Sequence, residues 1–284
     1  MSNTVLDFVP QIPIADYTAR FTDWLTDAFA FIFEPIKEYF GEFMEWTSEM
    51  LIQVPPIIII AIVAILAFFI AGKRFGLAAF SAVGLWLVFN QGLWEHLINT
   101  FTLVLISSVL SVIIGVPVGI LMSKSNVAEA IITPVLDFMQ TMPAFVYLIP
   151  AVAFFGIGMV PGIFASLIFA TPPTVRFTNL GIRQVSKELV EASDAFGSTG
   201  AQKLFKVELP MSKATIMAGI NQTVMLALSM VVIASMIGAP GLGREVLSAL
   251  QRAEVGTGFV AGIGIVILAI IIDRFTQNVN SKKD

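Results

Sequence analysis

The length of its uncharged apolar runs constrains this chain more than any other feature. Met50–Gly72, Phe75–Trp94, Ile98–Met122, Phe138–Val175, Ala214–Ala239 and Val255–Ile272 contain no Asp, Glu, Lys or Arg. A membrane-spanning helix needs about 20 mostly apolar residues, and it satisfies its backbone polar groups internally where no water can do so. The run from Phe138 is about twice that length, so it reads as two spans divided near Gly158–Gly162. The expected class is therefore an all-α polytopic membrane protein with about seven transmembrane helices. Composition agrees, since 13% of the 284 residues are charged, whereas a soluble domain carries about a quarter. With no cysteine in the chain, disulfide and thiol chemistry are excluded. The opening MSNTVLDFVPQIPIAD lacks the basic-then-apolar order of a cleaved signal. A net charge of −4 gives no general attraction to nucleic acid.

Three regions follow from this pattern. Residues 1–50 form an acidic tail. Over residues 18–48, Phe21, Trp24, Leu25, Ala28, Phe29, Ile32, Ile36, Tyr39, Phe40 and Phe43 recur at helical steps opposite Asp23, Asp27, Glu34, Glu38 and Glu45. This predicts an amphipathic helix bent near Pro35, lying on the membrane surface or against the protein's own flank. Residues 51–94 hold two short spans that read as peripheral. Residues 95–280 hold five spans that read as the core, interrupted by a polar segment at 186–213. Within the core, Ser107, Ser111, Gly115 and Gly119 repeat every four residues, as expected where helices approach closely. Pro117, Pro143, Pro150, Pro161, Pro172 and Pro173 should kink or break the spans they enter.

Catalytic signatures are missing. His96 is the only histidine, so a His-rich metal cluster cannot form. Gly72-Lys73 lacks the rest of a phosphate-binding loop. The spans carry ionisable groups only at their ends (Asp137, Arg176, Asp273), which disfavours coupling to protons or sodium. Carbonyls and hydroxyls can hold sodium unaided, so an ion-coupled secondary transporter or an osmotic channel protein stays open as an alternative. A solute path without its own motor needs an external one.

The polar segment offers a handle for such a motor. Ser186 could cap a helix running from Glu188 to Phe196, and Gly197 suits a chain reversal. Thr199 and Gln202 fit a capping box for a second helix that Pro210 would end. Ala192 is small where a close contact would be needed, and Phe196, Phe205 and Leu209 offer apolar anchors. Glu191, Ala192, Ser193, Gly197, Val207, Leu209 and Pro210 fit the pattern E-A-A, three residues, Gly, nine residues, I-x-L-P. Only Ser193 for Ala and Val207 for Ile depart from it.

That pattern resembles the cytoplasmic coupling loop of ABC-importer permeases. The segments Asp137–Val185 and Ile216–Gly243 are similar to the quaternary-amine branch, whose cargo is glycine betaine, proline betaine, choline or carnitine. The resemblance covers most of residues 95–275. It implies an ABC type I importer permease core, non-catalytic and holding no cofactor of its own. It further implies a second permease copy, two ATPase subunits that bind ATP and Mg, an extracytoplasmic substrate-binding protein and a bacterial cytoplasmic membrane. ATPase coupling would fall to Glu191, Ala192, Ser193, Gly197, Phe205, Val207, Leu209 and Pro210.

With the loop placed inside the cell, all Lys and Arg except Arg20, Lys37, Arg244 and Arg252 fall inside too. This agrees with the positive-inside rule and puts the N-terminus outside and the C-terminus inside. Gln140, Thr141, Met142 and Tyr147 flank Pro143, while Asn221, Gln222, Met225, Ser229 and Met230 share a later span. Both groups are candidates to line a path for a solute bearing a quaternary ammonium. The outer loop Gly238–Gly256, with Arg244, Glu245, Arg252 and Glu254, is the expected docking rim for a binding protein.

Overall fold

The computed structural model describes residues 13–72 and 75–281. Residues 1–12 of the tail, and Lys73, Arg74, Lys282 and Lys283 among the inner cations, lie outside the described residues.

The amphipathic region forms two helices, α1 (Ile14–Ala28) and α2 (Ala30–Gln53). The break falls at Phe29 rather than at Pro35, which α2 accommodates in its second turn. There the carbonyl that the proline leaves unpaired is that of Phe31, an exposed residue. One face of α2 packs on the core: Phe33 stacks on Phe154 with ring centroids 4.7 Å apart, Phe40 lies 5.7 Å from Phe164, and Met44 is buried. The other face presents Phe31, Tyr39, Phe43 and Trp46 outward.

The run expected to cross as Met50–Gly72 turns sharply instead. α2 meets α3 (Pro56–Ile70) at 93°. Pro55 and Pro56 donate no backbone hydrogen bond, and Val54, preceding a proline, is disfavoured in a helix and extended here. α3 packs chiefly on α4 (Phe75–Asn90), and both lean on the last helix.

Three helices form the centre: α5 (Trp94–Lys124), α8 (Met159–Arg183) and α11 (Leu209–Ser235). α8 lies between the other two and is buried along most of its length. The small-residue stripe faces it: a methyl group at Gly115 would lie 2.8 Å from Thr174, and one at Gly119 would lie 2.6 Å from Thr178. On the other side, a methyl at Gly219 would lie 2.5 Å from Phe177. These close approaches let backbones supply the packing that lipid cannot drive.

α8 stays helical through Pro172 and Pro173, where the sequence suggested a break. Hydroxyls gather around this turn. Thr171 and Ser111 donate to the Leu167 carbonyl at 2.6 and 3.4 Å, and Thr223 of α11 donates to that of Ala170 at 2.8 Å. Pro172 and Pro173 remove the helical donors of the Ile168 and Phe169 carbonyls, and these hydroxyls bond the carbonyls on either side of that pair.

The long run from Phe138 divides twice, at the expected proline and at the expected glycines. α6 (Asn126–Thr141) stops before Pro143, and a 3-10 turn at Ala144–Tyr147 leads into α7 (Leu148–Phe155) at 109° to α6. A second break follows at Gly156 (φ 77°) and Gly158 (φ 125°), at the near edge of the division expected around Gly158–Gly162. Among the described residues, α5, the rod Gly200–Ser235 and the last helix are long and apolar enough to cross a membrane alone; the bent pairs α2–α3 and α6–α7 raise the number to five. The six apolar runs are thus spread over continuous, broken and short helices. α9 (Lys187–Ala195), α10 (Gly200–Lys203), α12 (Leu242–Arg252) and α13 (Val255–Ser281) complete the order.

Candidate functional site

The polar segment folds as a hairpin between α8 and α11. Ser186 does not cap α9; its hydroxyl donates to the Glu188 carboxylate. That bond, aided by the Glu188 backbone N–H, holds the exposed carboxyl below the ordinary glutamate range. α9 ends at Gly197, whose φ is 76°. The Gly197 N–H donates to the Asp194 carbonyl at 2.9 Å and that of Ser198 to Ser193 at 3.1 Å. This Schellman pairing satisfies carbonyls that the helix end leaves open, and its left-handed residue favours glycine.

The predicted capping box is present: Gln202 N–H donates to Thr199 Oγ1 at 3.3 Å and Thr199 N–H to Gln202 Oε1 at 2.9 Å. Lys203 Nζ bridges back to Asp194 at 2.8 Å and joins the two arms. Pro210 does not end the second helix. α10 passes through a π-helical turn, Leu204–Glu208, directly into α11. Pro210 sits in the first turn of α11, where its missing N–H matters least.

Burial divides the pattern residues into two sets. Glu191, Ala192, Gly197, Phe205 and Pro210 are exposed, Phe205 at 66%. Phe196 beside them is 91% exposed. Ser193, Val207 and Leu209 turn inward, Ser193 Oγ donating to the Val190 carbonyl at 2.9 Å. The inward set seats the hairpin on the helix ends. The outward set leaves two phenylalanines, Phe196 and Phe205, exposed on a polar surface.

The sequence reading missed what holds this hairpin to the helices beneath. Glu208, in the spacer position between Val207 and Leu209, is buried and ion-pairs with Lys124 at the end of α5. Arg183 donates to the Met122 carbonyl at 2.9 Å, to Asn126 at 3.0 Å and to Asn179 at 3.0 Å, and pairs with Glu129 at 2.9 Å. Apart from the Arg183–Asn179 bond, four residues apart, no local spacing could have shown these ties, because their partners lie far apart in the chain.

The candidate path residues separate similarly. Gln140, Thr141, Gln222 and Met225 are exposed, with Ser229 on the same side of α11. Met230, Tyr147 and the half-buried Met142 pack together, so the α6–α7 break rests on α11. Tyr147 donates its hydroxyl to the Met139 carbonyl. Asn221 donates to Asp273 of α13 at 3.0 Å and serves helix packing. Met230 and Asn221 are thus engaged within this chain rather than presented to a solute.

The expected docking rim is the short amphipathic helix α12. Thr100 of α5 anchors its first turn, accepting from the Leu242 N–H at 2.8 Å. Glu245 lies 3.5 Å from His96. Arg244 and Arg252 remain exposed.

The family model for the binding-protein-dependent transport system inner membrane component matches residues 111–284. The chain belongs to this family. The match includes the hairpin, the α6–α7 break and α12. Relatives extend the likeness almost end to end. The glycine betaine/carnitine transport permease protein GbuB of Listeria monocytogenes is 58% identical over 96% of this chain and 98% of its own. The glycine betaine transport system permease protein OpuAB of Bacillus subtilis is 51% identical over 98% of both. The glycine betaine/proline betaine permease ProW of Escherichia coli is 45% identical over 94% of this chain and 75% of its own. Among solved structures, the inward-facing MetNI methionine ABC transporter shares the fold, with a TM-score of 0.57 at 20% identity over 69% of this chain and 94% of its own. As in other inner membrane components of this family, the chain is a non-catalytic permease subunit.

Proposed function

We propose that this permease carries glycine betaine or a closely related quaternary amine into the cell, driven by ATPase subunits that grip the outward set of the hairpin, Glu191, Ala192, Phe196, Gly197 and Phe205, and not its buried base. The observation that carries the reading is the outward set on that hairpin: Ala192, Phe196 and Phe205 standing exposed around the Gly197 reversal. Apolar side chains held on a capped, cross-braced hairpin suit a second protein better than water. Relatives named for betaine transport match nearly the whole chain, which supports the cargo.

Two copies would complete the path. α11 packs on α5, α8, α12 and α13, yet keeps Gln222, Met225, Ser229 and Met236 exposed. A neutral polar and methionine stripe facing its counterpart would let a quaternary ammonium pass without trapping it. The hairpin side would face the cytoplasm and α12 the outside, where Arg244 and Arg252 meet a substrate-binding protein. ATP and Mg would reside on the ATPase.

Reconstitution tests this directly. Liposomes holding the permease, its ATPase and its binding protein should accumulate labelled glycine betaine only when ATP is supplied on the hairpin side. Accumulation by the permease alone under a sodium or proton gradient would replace this reading with secondary transport.

A further inference from the structure

The hairpin is continuous in sequence with α8 and α11 but not with α5. A stroke delivered to the hairpin therefore passes along the backbone into two of the three central helices. It reaches α5 only through side chains. The seam between α5 and α8 is lined by small residues, with Gly115 and Gly119 against Thr174 and Thr178 and one long hydroxyl bond across it, from Ser111 to the Leu167 carbonyl at 3.4 Å. Small-residue seams permit close approach, and packed helices can slide past one another in shear. Something else must stop α5 from lagging behind.

Lys124 is the last residue of α5, and it ion-pairs with Glu208. Glu208 has a side chain only 7% exposed, against 50% for Asp194 in the same hairpin. It closes the π-helical turn; its five-residue bonding widens the helix, a distortion often found at functional sites. A carboxylate withdrawn this far from water demands a partner, and its partner belongs to the one central helix that the hairpin does not touch covalently. Arg183 reinforces the same corner through the Met122 carbonyl and Glu129.

We propose that the Lys124–Glu208 pair makes α5 and the α5–α6 corner move as one body with the hairpin, and so sets how much of each ATP-driven stroke reaches the translocation helices. These are positioning residues. The inference rests on the hairpin being the ATPase handle.

The test uses the full complex in liposomes with Lys124→Met, Glu208→Gln and the reciprocal exchange Lys124→Glu with Glu208→Lys. Each is read for ATPase retained on purification, for basal hydrolysis and for solute moved per ATP. The single variants should keep ATPase and hydrolysis within about twofold while solute per ATP falls about tenfold, and the exchange should recover at least about half. Singles with an unchanged ratio, or an exchange as poor as the singles, would overturn the proposal.

A second route does not depend on how well a buried charge is tolerated. The chain has no cysteine, so Lys124→Cys with Glu208→Cys introduces the only two thiols in the permease. Bridging them with a short reducible bis-thiol reagent should restore the ratio, and reduction should abolish it again. A bridge that leaves coupling low, or that arrests transport, shows that the segments must separate and sinks the idea. Failure of the unaltered permease to bind an ATPase would instead refute the functional reading beneath it.

Discussion

At Gly197 the backbone, not crowding, enforces glycine. Its φ is 76°, and nothing lies within 4 Å of where a side chain would begin. Gly197→Ala should therefore cost only local strain, about 1 kcal/mol, and Gly197→Asn, which tolerates the left-handed region, less still. Gly197→Trp has room in this chain but would project from the hairpin tip into any docked subunit. The expected result is normal membrane insertion for all three, near-normal uptake for Gly197→Asn, and loss of uptake with loss of ATPase co-purification for Gly197→Trp. A tryptophan variant that transports normally would remove the tip from the contact surface. Glu208 poses the opposite problem. Its importance comes from a partner 84 positions away, and no pattern of neighbours can reveal that.

At the scale of the element, α12 depends on one side chain from another helix. Leu242 N–H would be an orphan donor at the start of α12 without Thr100 Oγ1. Thr100→Val keeps shape but removes the acceptor, so it should destabilise the folded protein by about 1–3 kcal/mol. Thr100→Ser, which keeps the oxygen, should stay closer to the parent. Thermal unfolding in nanodiscs measures both, and equal midpoints for the two variants would discard Thr100 as the anchor. This helix also shows the limit of sequence reading. Its charges were legible as a rim, but its folding depends on a contact from residue 100. The same limit explains the spans. Hydropathy reports composition but not direction, so Met50–Gly72 looked like one rod across the break at Pro55–Pro56. Pro172 and Pro173 misled the other way, because α8 runs on through both, buried between α5 and α11. The hairpin was legible to the residue at its capping box and at Gly197, where local backbone chemistry decides the fold.

At the scale of the whole molecule, the length of α11 fixes which surfaces can be neighbours. Its 27 residues span about 40 Å, more than the hydrocarbon thickness of about 30 Å. The hairpin at its start and α12 beyond its end must therefore face opposite compartments. The hairpin side gathers Lys124, Arg183, Lys187, Lys203, Lys206 and Lys213, while α12 brings Arg244 and Arg252. Cationic loops stay on the cytoplasmic side, so the ATPase handle should face the cytosol and the binding-protein rim the exterior. The cysteine-free chain makes the sidedness measurable without background from this subunit. Ala195→Cys places a thiol on the exposed end of α9, and Gln251→Cys places one on the exposed face of α12. In intact cells a membrane-impermeant maleimide should label Gln251→Cys at once and Ala195→Cys only after permeabilisation. The reverse order would invert the protein in the membrane and put the hairpin beyond reach of any cytosolic ATPase. In inside-out vesicles, added ATPase should protect Ala195→Cys and leave Gln251→Cys unchanged, as the proposal that one end of this rod receives the motor and the other the binding protein requires.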